Sequence, residues 1–156
     1  MRPSDETGAV GGVEVLPFGF LVFVAGTLLL ANAWGAVEGK VAASAAAREA
    51  ARAYVESSGP ADVALADAQA AAAAAIEGHG RDPARMVLRP VGPLSFERCA
   101  RVTFEVTYGV ATVEVPWIGA FGDGFVATSA RHSEVVDPYR SGVPLDPAGA
   151  GVRCDG

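Results

Sequence analysis

The strongest pattern in the chain is an uncharged, mostly apolar run from Val15 to Val37, with Glu14 just before it and Glu38 and Lys40 just after. Its roughly 23 residues, rising ~1.5 Å each as a helix, cover a hydrocarbon core of about 30 Å. The run therefore reads as a transmembrane helix over 15–37, behind a short tail over 1–14. The rival reading is a cleaved export signal, for which Ala31-Asn32-Ala33 offers a small-x-small cut site. The start of the chain argues against it, because Asp5, Glu6 and Glu14 outnumber Arg2 where such a signal has a basic start. Under either reading the rest of the chain is expected to be exported.

Past the anchor, "VEGKVAASAAAREAARAYVESSG" keeps helical composition: Ala, Glu and Arg favour it, Glu49 can reach Arg52, and Ser57-Ser58-Gly59-Pro60 stops it. Anchor and extension together predict one helix of about 45 residues, half in lipid and half outside. The small side chains of its outer half suit close packing. A second helix is expected over Ala61–Glu77, with Pro60 ahead of its first turn, Asp62 and Asp67 in its N-terminal half, and Gly78 ending it. Its six-alanine run reads as a close-packing face.

From Met86 the period changes from helical to extended. "MVLRPV" is a short strand, and Pro90 assigns it to an edge. Val102, Phe104, Val106, Tyr108 and Val110 alternate with Arg101, Thr103, Glu105 and Thr107, the period of a strand with one buried face. Val113 and Val115 continue the apolar set one position out of phase, so a β-bulge over Gly109–Ala111, or a hairpin at Tyr108-Gly109, is expected. "FVATSARHSEVV" is a further strand, and the Pro- and Gly-rich stretch over 138–156 is irregular. The expected fold is α+β: a long N-terminal helix, a second helix and about three antiparallel strands, with the helices covering the apolar sheet face over 38–137.

Charge and chemistry narrow the function more than they assign it. Lys and Arg number 12 against 18 Asp and Glu, giving a net charge of −6 without any long basic cluster. Binding to a nucleic-acid backbone has no electrostatic basis in such a chain. His79 sits in a glycine-flanked loop and His132 in the last strand, neither with a carboxylate or cysteine at ligand spacing, so no metal is expected. No serine lies in a G-x-S-x-G elbow, and "GAFGDG" lacks the lysine and following helix of a phosphate loop. No cofactor and no enzyme activity are expected.

The two cysteines, Cys99 and Cys154, form no CxxC and no Cys/His cluster. An isolated pair at long spacing in an exported domain reads as one disulfide, the alternative being two unrelated reduced thiols. Trp117, Ile118, Phe121 and Phe125 cluster around the glycine-rich connection. They either close one end of the core or form an exposed apolar loop that meets a neighbouring subunit. Orientation is contested by the sequence itself. Lys40, Arg48 and Arg52 follow the anchor while only Arg2 precedes it, which by the positive-inside count would leave the domain in the cytoplasm. A disulfide argues for the outside.

The order "TGAVGGVEVLP", apolar run, "AASAAAREAARAYV", and later "PWIGAFGDGFVATSARHSEVVDPYRSG" resembles the TadE-like family of tight-adherence (Flp-type) pilus assembly proteins, in its actinobacterial form. The resemblance implies a non-enzymatic, pseudopilin-like subunit with a cytoplasmic N-terminus and an extracytoplasmic domain. It implies as partners the membrane lipid, other pilus or pseudopilin subunits, the secretion platform and a prepilin-type peptidase. It also implies an assembly role for Glu14, whose carboxylate in such assemblies pairs with the terminal amine of an adjacent subunit. A glutamate at a membrane edge needs a partner or a role, the plain alternative being that it reaches back to the interface. The family places this glutamate fifth after a cut that follows glycine. Here Gly8 lies six positions before Glu14, and the fifth-position rule requires a cut after Ala9. Processing after Gly8, after Ala9 or not at all remain alternatives.

Overall fold

The computed structural model describes residues 15–112, 124–139 and 154. The expected long helix is a single unbroken α1, Val15–Glu56, of 42 residues. It ends where Ser57 donates its N–H to Ala53 O at 2.9 Å and the Ser57 hydroxyl turns to Asp67 Oδ2 at 2.6 Å. That hydroxyl–carboxylate contact joins the end of α1 to α2, Ala61–Gly78. Within α1 the expected Glu49–Arg52 pair gives way to Arg52 Nε on Glu56 Oε1 at 2.9 Å. The acid one full turn further on lies nearer the guanidinium.

Alanine sets how closely the helices approach. Ala42, Ala43, Ala46, Ala47, Ala50, Ala51 and Tyr54 of α1 are fully buried, forming a stripe wide enough to serve two neighbours. One neighbour is α2, whose Ala64, Ala68, Ala72 and Ile76 recur at one-turn spacing and are also fully buried. The other is the sheet. A 3-10 turn, Pro83–Arg85, opened by Asp82 Oδ1 accepting from Ala84 N–H at 2.9 Å, leads into it.

The sheet has three antiparallel strands in chain order: β1, Met86–Pro90; β2, Arg101–Ala111; β3, Phe125–Val135. Val102, Phe104, Val106, Tyr108 and Val110 of β2 all face inward and are buried. Removing a side chain such as Phe104 or Val106 from water stabilises the fold by roughly 1.5–3 kcal/mol. The β2–β3 register runs without a step from Arg101↔Val135 to Ala111↔Phe125. The bulge expected at Gly109–Ala111 and the hairpin at Tyr108-Gly109 are therefore both absent. Val110 keeps the core phase because α1 comes close enough to receive it, and Val113 and Val115, which suggested the slip, lie outside the described residues.

Candidate functional site

Two features stand out on this frame: the bare half of α1, and the two ends of the domain. From Val15 to Val37 no side chain of α1 is fully buried, and Leu16, Phe18, Phe20, Phe23, Leu29 and Leu30 are each about two-thirds exposed or more. The helix is long and apolar enough to cross a membrane. Its two interior polar side chains bond to their own backbone, Thr27 Oγ1 donating to Phe23 O and Asn32 Nδ2 to Leu28 O, each at 2.9 Å. Internal satisfaction of this kind is what hydrocarbon demands. Trp34 then donates its indole N–H to Glu38 Oε1 at 2.7 Å, the first charged group after the run.

Packing begins at the next turn. A Cβ on Gly35 would lie 3.4 Å from Val110 Cγ1, and one on Gly39 would lie 2.3 Å from Val110 Cγ2. At Gly39 the sheet thus approaches the helix so closely that only hydrogen fits between them. Around it, Arg81 reaches from the turn after α2 to Glu38 Oε2 at 3.1 Å and lies over the Tyr108 ring at 5.6 Å. Lys40 donates to the Ser129 carbonyl on the β3 edge. Arg85 lies over the Phe125 ring at 5.4 Å.

The opposite end is closed covalently. Cys99 and Cys154 form a disulfide across 55 residues. Cys99 has φ +63°, a left-handed conformation uncommon for a residue with a Cβ. From there its N–H donates to Val136 O, and Val136 N–H donates to Ala100 O, both at 3.0 Å, which extends the β2–β3 ladder beyond the strand ends. Arg98 adds a bond to Pro138 O at 2.7 Å. Nearby Tyr54 stands edge-on to Phe96 and Phe104, its hydroxyl buried without a hydrogen-bond partner. Burial pushes its phenol up from the ordinary tyrosine range. Arg52 also titrates higher than usual, because Glu56 accepts its hydrogen bond and adds negative charge.

Of the residues singled out by sequence, the structure brings Cys99 and Cys154 together. Gly8, Ala9, Glu14, Trp117, Ile118 and Phe121 lie outside the described residues. His132, for which no metal-ligand partner was expected, makes one carboxylate contact: its Nε2 is 2.9 Å from Glu134 Oε1, two residues on along the same face of β3. Among the described residues, no three His, Cys, Asp or Glu side chains gather into a metal-binding group. Sequence reasoning passed over Gly39 and Arg81. The pair Gly35 and Gly39, one turn apart in a helical run, was the available signal for the first, and a cation beside "GHG" for the second. No family model matches the chain, and no curated protein or solved structure is significantly similar to it.

Proposed function

We propose that the chain is a single-pass membrane protein of the TadE-like type, a minor pseudopilin that helps to assemble or initiate a tight-adherence surface pilus. The observation that carries this reading is the division of α1, whose first half is apolar and bare while its second half is the spine of a small α+β domain. A helix of that kind suits a subunit that waits in the membrane and leaves it sideways into a fibre, helix against helix. The N-terminus is cytoplasmic and the domain extracytoplasmic. The Cys99–Cys154 disulfide supports this against the positive-inside count, since such bonds persist in oxidising compartments.

Glu14 is the assembly residue, and a prepilin-type peptidase acting at Gly8 or Ala9 would create the amine with which it pairs. The role is structural rather than catalytic, and the partners are lipid, sister subunits and the secretion platform. Deleting the gene and imaging the cell surface tests the reading: fibres should disappear. Intact fibres would overturn it and leave a membrane-tethered protein-binding module as the better account. Accessibility of the domain to protease on intact cells checks the orientation separately.

A further inference from the structure

The end of the domain nearest the bare half of α1 exposes apolar and cationic side chains together, and its depth can be read from the packing. Phe104 of β2 lies against Tyr54, with ring centroids 5.5 Å apart, whereas Val110 lies between Gly35 and Gly39. Strand β2 therefore runs along α1 toward the apolar half. Val110 pairs with Val126, and Ala111 pairs with Phe125 one residue nearer that half, an advance of about 3.3 Å. The uncharged run of α1 extends to Val37. Phe125 thus stands level with the last turn of the apolar helix. Phe125 is 55% exposed and Val126 44%, although they point to opposite faces of the sheet. Beside them, Arg85 lies over the Phe125 ring, its side chain 43% exposed and 3.9 Å from Asp82, and Lys40 is on the same end, while Arg81 is largely covered and paired with Glu38. Trp34, 66% exposed, is at this level on the helix itself.

An aromatic ring, a β-branched side chain and cations on long apolar stems, at the depth where a helix leaves hydrocarbon, match the chemistry of the headgroup layer. Resting on the reading that α1 spans a bilayer, we propose that the β2–β3 end of the domain is itself a lipid-contact surface, with Phe125 and Val126 seated in the headgroup region and Arg85 at phosphate level. The domain then stands on the membrane at a fixed height and does not swing on a tether, because α1 continues unbroken through this level. Continuity with the membrane helix selects lipid over a second copy of the chain as the occupant.

The test uses the full chain in phosphatidylcholine nanodiscs, with photoreactive benzoylphenylalanine replacing one residue at a time: Phe23 in the bare helix, Phe125, or Ser133 toward the far end of β3. All three positions are exposed on the surface, and circular dichroism checks that the fold is retained. Intact mass after illumination should show lipid adducts at positions 23 and 125 and none at 133. Adducts at 23 without adducts at 125 would overturn this proposal alone. Equal lipid yields at 125 and 133, or a protein–protein adduct in place of lipid at 125, would overturn it as well. Absence of lipid adducts at 23 would overturn the membrane-spanning reading on which it rests.

Discussion

The two halves of α1 share one backbone and reverse the usual relation between side-chain size and burial. In the outer half the buried positions are Gly39, alanines and Tyr54; in the inner half phenylalanines and leucines face outward. Dissolved in water, such a helix would bury its large residues and expose its small ones. The reversal follows if each half has its own solvent. Protein packs against the outer half, where small side chains allow both α2 and the sheet to approach. On the proposed membrane-spanning reading, lipid surrounds the inner half, where bulk costs nothing and polar groups must bond internally.

The largest effect that sharpens this contrast belongs to the domain. Replacing Cys99 and Cys154 by serine should lower stability by about 4 kcal/mol in the chain-entropy picture of a loop this long. Denaturant unfolding of the domain measures it, while membrane fractionation of the whole chain should not change. Next comes a matched pair of substitutions on the same helix. Gly39→Ala puts a methyl against Val110 and should destabilise by roughly 1–3 kcal/mol through overpacking. Gly26→Ala, where an added Cβ would meet nothing within 4 Å, should leave the melting midpoint unchanged or slightly raised. Equal effects at the two positions would break the comparison.

Smaller again is Tyr54→Phe, which removes a buried hydroxyl without a partner and should stabilise by about 1 kcal/mol. It also carries a pH signature. A phenol whose pKa is raised on folding adds stability that is fully present below the unfolded value of about 10 and is lost as pH rises through the higher folded value. Wild-type stability should therefore fall in alkaline solution, and the Phe variant should fall less, as followed by thermal melts across that range. The smallest effect is expected at Arg52→Ala, an exposed ion pair with Glu56, whose loss should leave the melting midpoint unchanged.

The elements were legible because their periods are clean. Alternation from Val102 to Val110 predicted a one-sided strand, and the alanine runs predicted close-packed helices. What sequence misjudged was contact-dependent. The phase change toward Val113 suggested a bulge that the ladder does not contain, since pairing with β3 and the fit of Val110 at Gly39 hold the register through Ala111. Glu56 was passed over in favour of Glu49 because both lie within a helical turn of Arg52, and only side-chain direction separates them. Arg81 could not be found from its neighbours in sequence, because its partners Glu38 and Tyr108 come from two other elements. The assembly role proposed for Glu14 was read from its place at the mouth of the apolar run and from the family resemblance, neither of which depends on the packing of the domain.

That independence makes Glu14→Ala the most direct measurement. The substitution lies outside the helix half that holds the domain together, so the protein should still enter the membrane and keep its disulfide. Imaging the surface of cells that carry only this variant should then show few or no fibres. Normal fibres on such cells would contradict the account.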